Sequence, residues 1–215
     1  MLFVSKGNML KSSWDRWWGE IGAQGEGLAL MQKLVAAYEE PQRKYHTVQH
    51  LTECLDLFSR HRQIAAEPAE VEATLWFHDA IYDVTAHDNE ARSAAWAVEA
   101  LSAAGVSPVH TERVRQHILA TSHAALPQGK DQELVVDIDL SILGAHRVRF
   151  EEYEVQVRAE YAWVPEPLFR QRRAEVLAEF LARTPIYNTA LLRDALEHQA
   201  RENLAQSLQH LRGGG

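Results

Sequence analysis

The stretch Thr74-Leu-Trp-Phe-His-Asp79 ends an apolar run on a histidine that is followed directly by an aspartate. Tyr45-His-Thr-Val-Gln-His50 precedes this stretch, and Val136-Asp-Ile-Asp139 follows it. Imidazole nitrogens and carboxylate oxygens in this mixture bind borderline divalent ions such as Zn, Fe, Mn, Ni and Co, and an Asp directly after a His can bridge two ions. The order His, His-Asp, Asp therefore predicts a metal-centred hydrolase.

Helical periodicity runs through the chain on both sides of this stretch and predicts an all-α fold. After His50 an apolar stripe repeats at helical spacing, with Leu51, Cys54, Leu55 and Phe58. Ser107-Pro108 is typical of an N-cap followed by proline in the first turn of a helix. Strand-like alternation never exceeds a few residues. These patterns predict a chain of helices connected by turns.

We expect a single domain over residues 1–215, because no linker is long enough to divide the chain. A Trp-rich first helix, with Trp14, Trp17 and Trp18, and a leucine-striped last helix are predicted to pack on the core. The same two helices make a homodimer an expectation. Residues 212–215, which end in three glycines, are predicted to form a disordered tail.

Composition favours a folded enzyme and disfavours several partners. A chain of 215 residues with 46% hydrophobic content can bury one substantial core. The net charge of -8 disfavours extended nucleic acid and anionic membranes, although a local basic cluster could bind one phosphate. Cys54 is the only cysteine, which excludes an intrachain disulfide and fits a reducing compartment. With neither a signal-like segment nor an apolar run of about 20 residues, we expect a cytoplasmic protein without a membrane partner.

Other metal and nucleotide templates do not fit the residues. His46 and His50 would share a helix face if the helix began near Tyr45, but Thr47 stands where a metalloprotease needs glutamate. No Glu-x-x-His repeat of a di-iron bundle is present. Gly129-Lys130 is followed by Asp and not by Ser or Thr, so no nucleotide-binding loop of Walker type is predicted.

With His50, His78-Asp79 and Asp139 in an all-helical chain, the protein resembles the HD-domain superfamily of metal-dependent phosphohydrolases. Four segments are similar to a predicted bacterial branch of that superfamily without an assigned substrate: Glu40-Pro-Gln-Arg-Lys-Tyr-His-Thr-Val-Gln-His50, Trp76-Phe-His-Asp-Ala-Ile-Tyr-Asp83, Asp88-Asn-Glu90 and Asp137-Ile-Asp-Leu-Ser-Ile-Leu-Gly144. The resemblance covers most of the chain. It implies an HD-domain-like helical bundle.

The resemblance also implies a ligand set and a general acid. The metal ligands would be His50, His78, Asp79 and Asp139, with Asp79 also taking part in catalysis. Tyr45-His-x-x-x-His50 is similar to a stretch of the cyclic nucleotide phosphodiesterases, in which the second histidine binds metal and the first protonates the leaving oxygen, so His46 becomes the acid. Tyr82 stands where those enzymes have a further histidine, and cyclic nucleotides are therefore not implied.

Several assignments stay open. Asp139 is preferred to Asp137 as the last ligand, and Asp137 could instead cap a helix. His123 and His117 are candidates for a second metal or a phosphate contact, with His123 ranked first. Arg43 and Lys44 are candidates for binding a substrate phosphate. The cofactor would be one or two divalent ions, and Mn, Zn, Fe, Co, Ni and Mg remain open.

The expected function is hydrolysis of a phosphomonoester or phosphodiester of a small metabolite or nucleotide by metal-activated water. One alternative is a di-iron oxygenase of the same superfamily, which would need ligation by both His117 and His123. The other is a non-catalytic HD domain that binds a metal or a nucleotide. Loss of one of the four ligands would have favoured this last alternative, and all four are present.

Overall fold

The computed structural model describes residues 6–123 and 125–213, and every regular element within those ranges is helical. The prediction of an all-α fold is therefore confirmed. Contacts between residues divide the chain into two compact units, one ending at Asp139 and one beginning at Leu140, and each unit is described by itself. The single domain stays a prediction. Within the described ranges, no helix combines the length and the apolar character that a membrane crossing requires.

The first unit is built around one central helix, α4, which contacts α1, α3, α5, α6 and α7. Every residue from Glu70 to Phe77 on α4 is buried. Its apolar side chains point in all directions, which is typical of a helix surrounded by protein. The helices of this unit are α1 Lys6–Glu20, α2 Leu28–Tyr38, α3 Val48–His61, α4 Pro68–Phe77, α5 Asn89–Ala103, α6 Pro108–Ala120 and α7 Lys130–Asp139, with a short 3-10 helix at Arg62–Ile64.

Helix α1 packs its tryptophans into the core of this unit. Trp14 and Trp17 are fully buried, and the Trp14 ring meets the Trp76 ring edge-on at 5.1 Å between centroids. Such aromatic pairs add about 0.5–1.5 kcal/mol to the hydrophobic burial. Gly27, with a φ of 63°, lets the chain pass close to the ring of Trp18, where an added Cβ would lie only 2.7 Å from the ring. The Trp-rich helix therefore anchors α4.

Helices α4 and α7 run parallel, and Asp131 joins their beginnings. Its two carboxylate oxygens accept hydrogen bonds from the backbone N–H groups of Ala66 (2.7 Å) and Glu67 (2.9 Å), just before α4 starts. N–H groups at a helix start have no partner within the helix, so this carboxylate acts as a cap supplied by a neighbour. At their other ends the two helices reach His78 and Asp139.

The second unit consists of a 3-10 helix at Leu140–Gly144 followed by α8 Arg147–Glu160, α9 Glu166–Ala182 and α10 Ala190–Gly213. Gly144 allows α10 to approach closely, because an added Cβ would lie 2.7 Å from the Leu196 backbone oxygen. Helix α10 includes residues 212 and 213 of the predicted disordered tail. The Arg170 guanidinium donates to the carbonyls of His210 (2.8 Å) and Leu211 (2.5 Å), which caps this end. Residues 214 and 215 lie outside the described residues.

Candidate metal centre

Four side chains of the first unit bring their donor atoms together, and we call them the His/Asp cluster: His50, His78, Asp79 and Asp139. The Nε2 atoms of His50 and His78 are 3.1 Å apart. Oδ2 of Asp79 lies 3.3 Å from the first nitrogen and 3.2 Å from the second. Oδ1 of Asp139 lies 3.3 and 3.5 Å from the same two atoms.

The donor set and its spacing fit a divalent ion. Metal–ligand bonds near 2.0–2.1 Å place neighbouring donors about 2.9 Å apart at right angles and about 3.3 Å apart at the tetrahedral angle. The separations that involve the two Nε2 atoms run from 3.1 to 3.5 Å. Two imidazoles and two carboxylates suit Zn, Mn, Fe, Co or Ni, and the carboxylates offset the charge of the ion. The cluster could therefore hold a metal.

His78 is oriented by the end of α4. It is the C-cap residue of the helix, and its backbone N–H donates to the carbonyl of Thr74 at 2.8 Å. Its ring Nδ1 lies 2.9 Å from the carbonyl oxygen of Leu75. Since a carbonyl can only accept, Nδ1 carries a proton, and Nε2 is the nitrogen that could bind a metal in the neutral ring. A hydrogen bond of this kind fixes the ring of many metal-binding histidines.

Helix α3 carries His50 in its first turn. Thr47 is the N-cap, and its hydroxyl accepts a hydrogen bond from the backbone N–H of Gln49 at 3.2 Å. The helix therefore begins at Val48, and His46 lies in the turn before it. His46 and His50 would share one helix face only if the helix began near Tyr45, and this condition is not met, because the Thr47 cap starts the helix at Val48.

The two histidines of the cluster hold protons more tightly than free imidazole does. Burial by itself would lower the pKa of His50, but Cys54, Tyr45 and the two carboxylates of the cluster raise that pKa well above its ordinary value. Burial acts on His78 in the same direction, and Asp79 outweighs it, so the pKa of His78 is also raised well above its ordinary value. Without an ion, the cluster keeps protonated imidazole between its carboxylates.

The two carboxylates are correspondingly held in their ionised form. Burial would raise the pKa of Asp79, but His78 and His46 hold it well below its ordinary value. Burial would also raise the pKa of Asp139, and hydrogen bonds from His123 and from the two cluster histidines lower it instead. Both aspartates would therefore be anionic ligands that need no deprotonation when an ion binds.

His46, the predicted general acid, lies beside the cluster. Its ring stacks on the ring of Tyr82 with centroids 4.0 Å apart and an angle of 26° between the planes. The centroid of the His46 ring is 5.9 Å from that of His50. The imidazole is half-buried and is not part of the His/Asp cluster. A general acid for a reaction at the cluster would lie in such a neighbouring position.

The two histidines proposed for a second metal lie in different places. His123 follows α6 with a φ of 56°, in the left-handed region, and its Nε2 lies 3.1 Å from Oδ2 of Asp139. His117 is buried inside α6 and does not belong to the cluster. Burial lowers the pKa of His117, and the carboxylates that act on it belong to Asp131 and Glu70. Of the two, only His123 is brought to the candidate centre.

Arg43 and Lys44, the two candidates for binding a substrate phosphate, lie in different surroundings. The guanidinium of Arg43 is buried and makes four hydrogen bonds: to Glu40 (3.1 Å) and to the carbonyls of His46 (3.2 Å), Asp79 (2.6 Å) and Ala80 (3.0 Å). A guanidinium has five N–H groups, so nearly all are committed to the protein. Binding of a substrate phosphate by Arg43 is not favoured by this geometry. Lys44 is exposed, and its ammonium donates to the Pro41 carbonyl at 2.6 Å.

Sequence reasoning did not identify three neighbours of the cluster. The Tyr38 hydroxyl accepts from the backbone N–H of Asp79 and donates to the Trp76 carbonyl, both at 3.3 Å, and burial raises its pKa to about 12. Tyr82 stacks on His46, and Cys54 Sγ lies 3.7 Å from His50 Nδ1. The four-residue spacing of His50 and Cys54 could have shown the last contact. Nothing in the pattern around the tyrosines indicated the other two.

Comparisons of the chain with family models, curated proteins and solved structures give no significant match. The resemblance to the HD-domain superfamily therefore stays a prediction from the four quoted segments. The candidate centre consists of two imidazoles and two carboxylates at metal-ligand spacing, with His46 and His123 beside them.

Proposed function

We propose that the protein is a metal-dependent phosphohydrolase that cleaves a phosphomonoester or phosphodiester of a small metabolite or nucleotide. The observation that supports this most is the convergence of the donor atoms of His50, His78, Asp79 and Asp139 at separations of 3.1 to 3.5 Å. A structural metal site is usually closed by four protein ligands in a tetrahedron. Here the donors include carboxylates that are partly exposed, at 17% and 15%, so the cluster is not sealed from solvent.

The chain's own residues supply the remaining roles. A bound divalent ion would lower the pKa of a water molecule and offset negative charge on the phosphoryl oxygens. His46 would give a proton to the leaving-group oxygen, and its stacking on Tyr82 orients the ring for this transfer. His123 holds Asp139 through Oδ2, which keeps Oδ1 directed at the cluster. The exposed ammonium of Lys44 would attract the phosphate group.

The di-iron oxygenase is not proposed. It required ligation by both His117 and His123, and among the described residues His117 is not part of any group that could hold an ion. A binding module without turnover remains an outcome of the test below. No observation at the cluster favours it over hydrolysis.

The test combines elemental analysis of the purified protein with a phosphate-release screen. Nucleotides and sugar phosphates would be supplied with Mn, Co, Ni or Mg. We expect about one ion per chain and phosphate release that His78→Ala and Asp79→Ala abolish together with the bound metal. His198→Gln, whose side chain is 88% exposed on α10, is the matched control and should retain both. Bound metal without phosphate release from any ester would contradict the proposal and favour a binding module.

A further inference from the structure

We infer that Arg43 is a positioning residue that holds the turn carrying His46 in register with the metal-binding pair His78-Asp79. This inference rests on the proposed function, because it assigns Arg43 a part in proton transfer by His46. The residue would act through the backbone and not by contact with the substrate. Its guanidinium is hydrogen-bonded to both segments.

A single nitrogen of Arg43 connects the two segments. NH1 donates to the carbonyl of His46 at 3.2 Å and to the carbonyl of Asp79 at 2.6 Å. NH2 donates to the next carbonyl, that of Ala80, at 3.0 Å. The backbone positions of the acid and of a metal ligand are therefore set by one planar, rigid group. The Arg43 side chain is 0% exposed, so water does not compete for these carbonyls.

Two tyrosines restrict the plane of the guanidinium. Its central carbon lies 5.3 Å from the centroid of the Tyr38 ring and 5.6 Å from that of the Tyr82 ring. Both tyrosines also contact the segments that Arg43 connects: Tyr38 bonds to the backbone N–H of Asp79, and Tyr82 stacks on the His46 ring. Displacement of the guanidinium would therefore move the His46 imidazole by two routes, through the backbone carbonyl of His46 and through the stacked ring of Tyr82.

Only arginine can make this set of contacts. Two nitrogens of the guanidinium serve the three carbonyls: NH1 donates to two of them and NH2 to the third. A lysine at the same position would keep the positive charge, but it offers one nitrogen as a point donor. Arg43→Lys therefore separates the charge of the side chain from its geometry. Arg60→Lys on α3, where the side chain is 62% exposed, is the matched control.

The first test is a double-mutant cycle measured as kcat on a phosphate ester with a poor leaving group. Arg43→Lys should lower kcat by about 10²-fold while KM and metal content stay near wild-type values, because misplacement of a catalytic group by about 1 Å costs that much. His46→Ala should lower kcat as well. In the His46→Ala background, Arg43→Lys should cause little further loss. Independent, multiplying effects would overturn the inference, as would loss of the metal in Arg43→Lys.

The second test needs no substrate and therefore separates this inference from the proposed function. Stacking on Tyr82 at 4.0 Å should shield the ring protons of His46 in the nuclear magnetic resonance spectrum of the full chain. In Arg43→Lys we expect these signals to move towards those of an unstacked histidine, while Arg60→Lys leaves them in place. Unchanged His46 signals in a folded Arg43→Lys protein would overturn the inference. If no ester is hydrolysed but the signals move, the positioning role stands and the proposed function fails.

Discussion

Metal binding to the His/Asp cluster should displace protons, and its affinity should therefore rise with pH. The pKa values of His50 and His78 are raised in the metal-free protein. Both imidazoles therefore stay protonated at pH 6.5, where about half of free histidine is neutral. A metal ion requires the neutral Nε2 atoms. The aspartates contribute no protons, because their pKa values are lowered.

The number of protons follows from the geometry of the two rings. Their Nε2 atoms are 3.1 Å apart, so either the two nitrogens share one proton in a hydrogen bond or each keeps its own proton and donates it to a carboxylate. Each ring also has a carboxylate oxygen within 3.3 Å to which it could donate. Between one and two protons should therefore leave per ion bound. The apparent association constant should rise by about tenfold to 100-fold for each pH unit below the raised pKa values.

Isothermal titration calorimetry with Zn²⁺ or Co²⁺ can count these protons. The same titration in two buffers with different ionisation enthalpies gives the number of protons released, and repetition one pH unit lower gives the change in affinity. His198→Gln should behave like the wild type, since the side chain of this histidine is 88% exposed. An affinity that does not depend on pH, with no buffer-dependent heat, would refute the assignment of His50 and His78 as ligands.

Three further predictions concern single residues. Asp139→Asn should weaken metal binding by at least about 100-fold and Asp137→Asn far less, since only Asp139 belongs to the cluster; equal losses measured with a competing chelator would contradict this. His46→Ala should keep the bound metal and lower kcat by about 10²–10⁴-fold, most for poor leaving groups; loss of the metal by elemental analysis would show that it is a ligand. Burial lowers the pKa of His117, and among the described groups neither of its ring nitrogens has a hydrogen-bond partner. As pH falls below about 6.5, this histidine is therefore protonated in the unfolded protein before it is protonated in the folded one, and the folded protein loses stability. His117→Leu should therefore raise Tm more at pH 5 than at pH 8, and an equal shift at both pH values would refute this.

The sequence could predict those residues of the candidate centre whose role depends on the donor atoms of their side chains. Donor atoms belong to residue types, so His50, His78 and Asp139 could be selected, and the structure brings them together with Asp79. The choice of Asp139 over Asp137 also agrees with the observed cluster. Helical periodicity was sufficient for the all-α fold, because the apolar stripes record which face of each helix is buried.

Contacts with backbone atoms could not be predicted in this way. The acceptors of Arg43 are carbonyl groups, which every residue has, so no sequence signal distinguished this buried arginine from one that binds phosphate. The spacing of His117 and His123 was equally uninformative. Helix α6 ends at Ala120, and the left-handed conformation of His123 then redirects the chain, so only one of the two histidines reaches Asp139.

The position of Asp139 depends on contacts at the opposite end of α7. Asp131 accepts hydrogen bonds from the two N–H groups that precede α4, and it stands eight positions before Asp139, which corresponds to about 12 Å of helix. Glu67 stands eleven positions before His78, which corresponds to about 16 Å of helix. Two parallel helices joined near their beginnings therefore direct an aspartate and a histidine to the same end of the first unit. The central helix of the first unit, which is buried from Glu70 to Phe77, thus contributes to the candidate centre by carrying His78 to it.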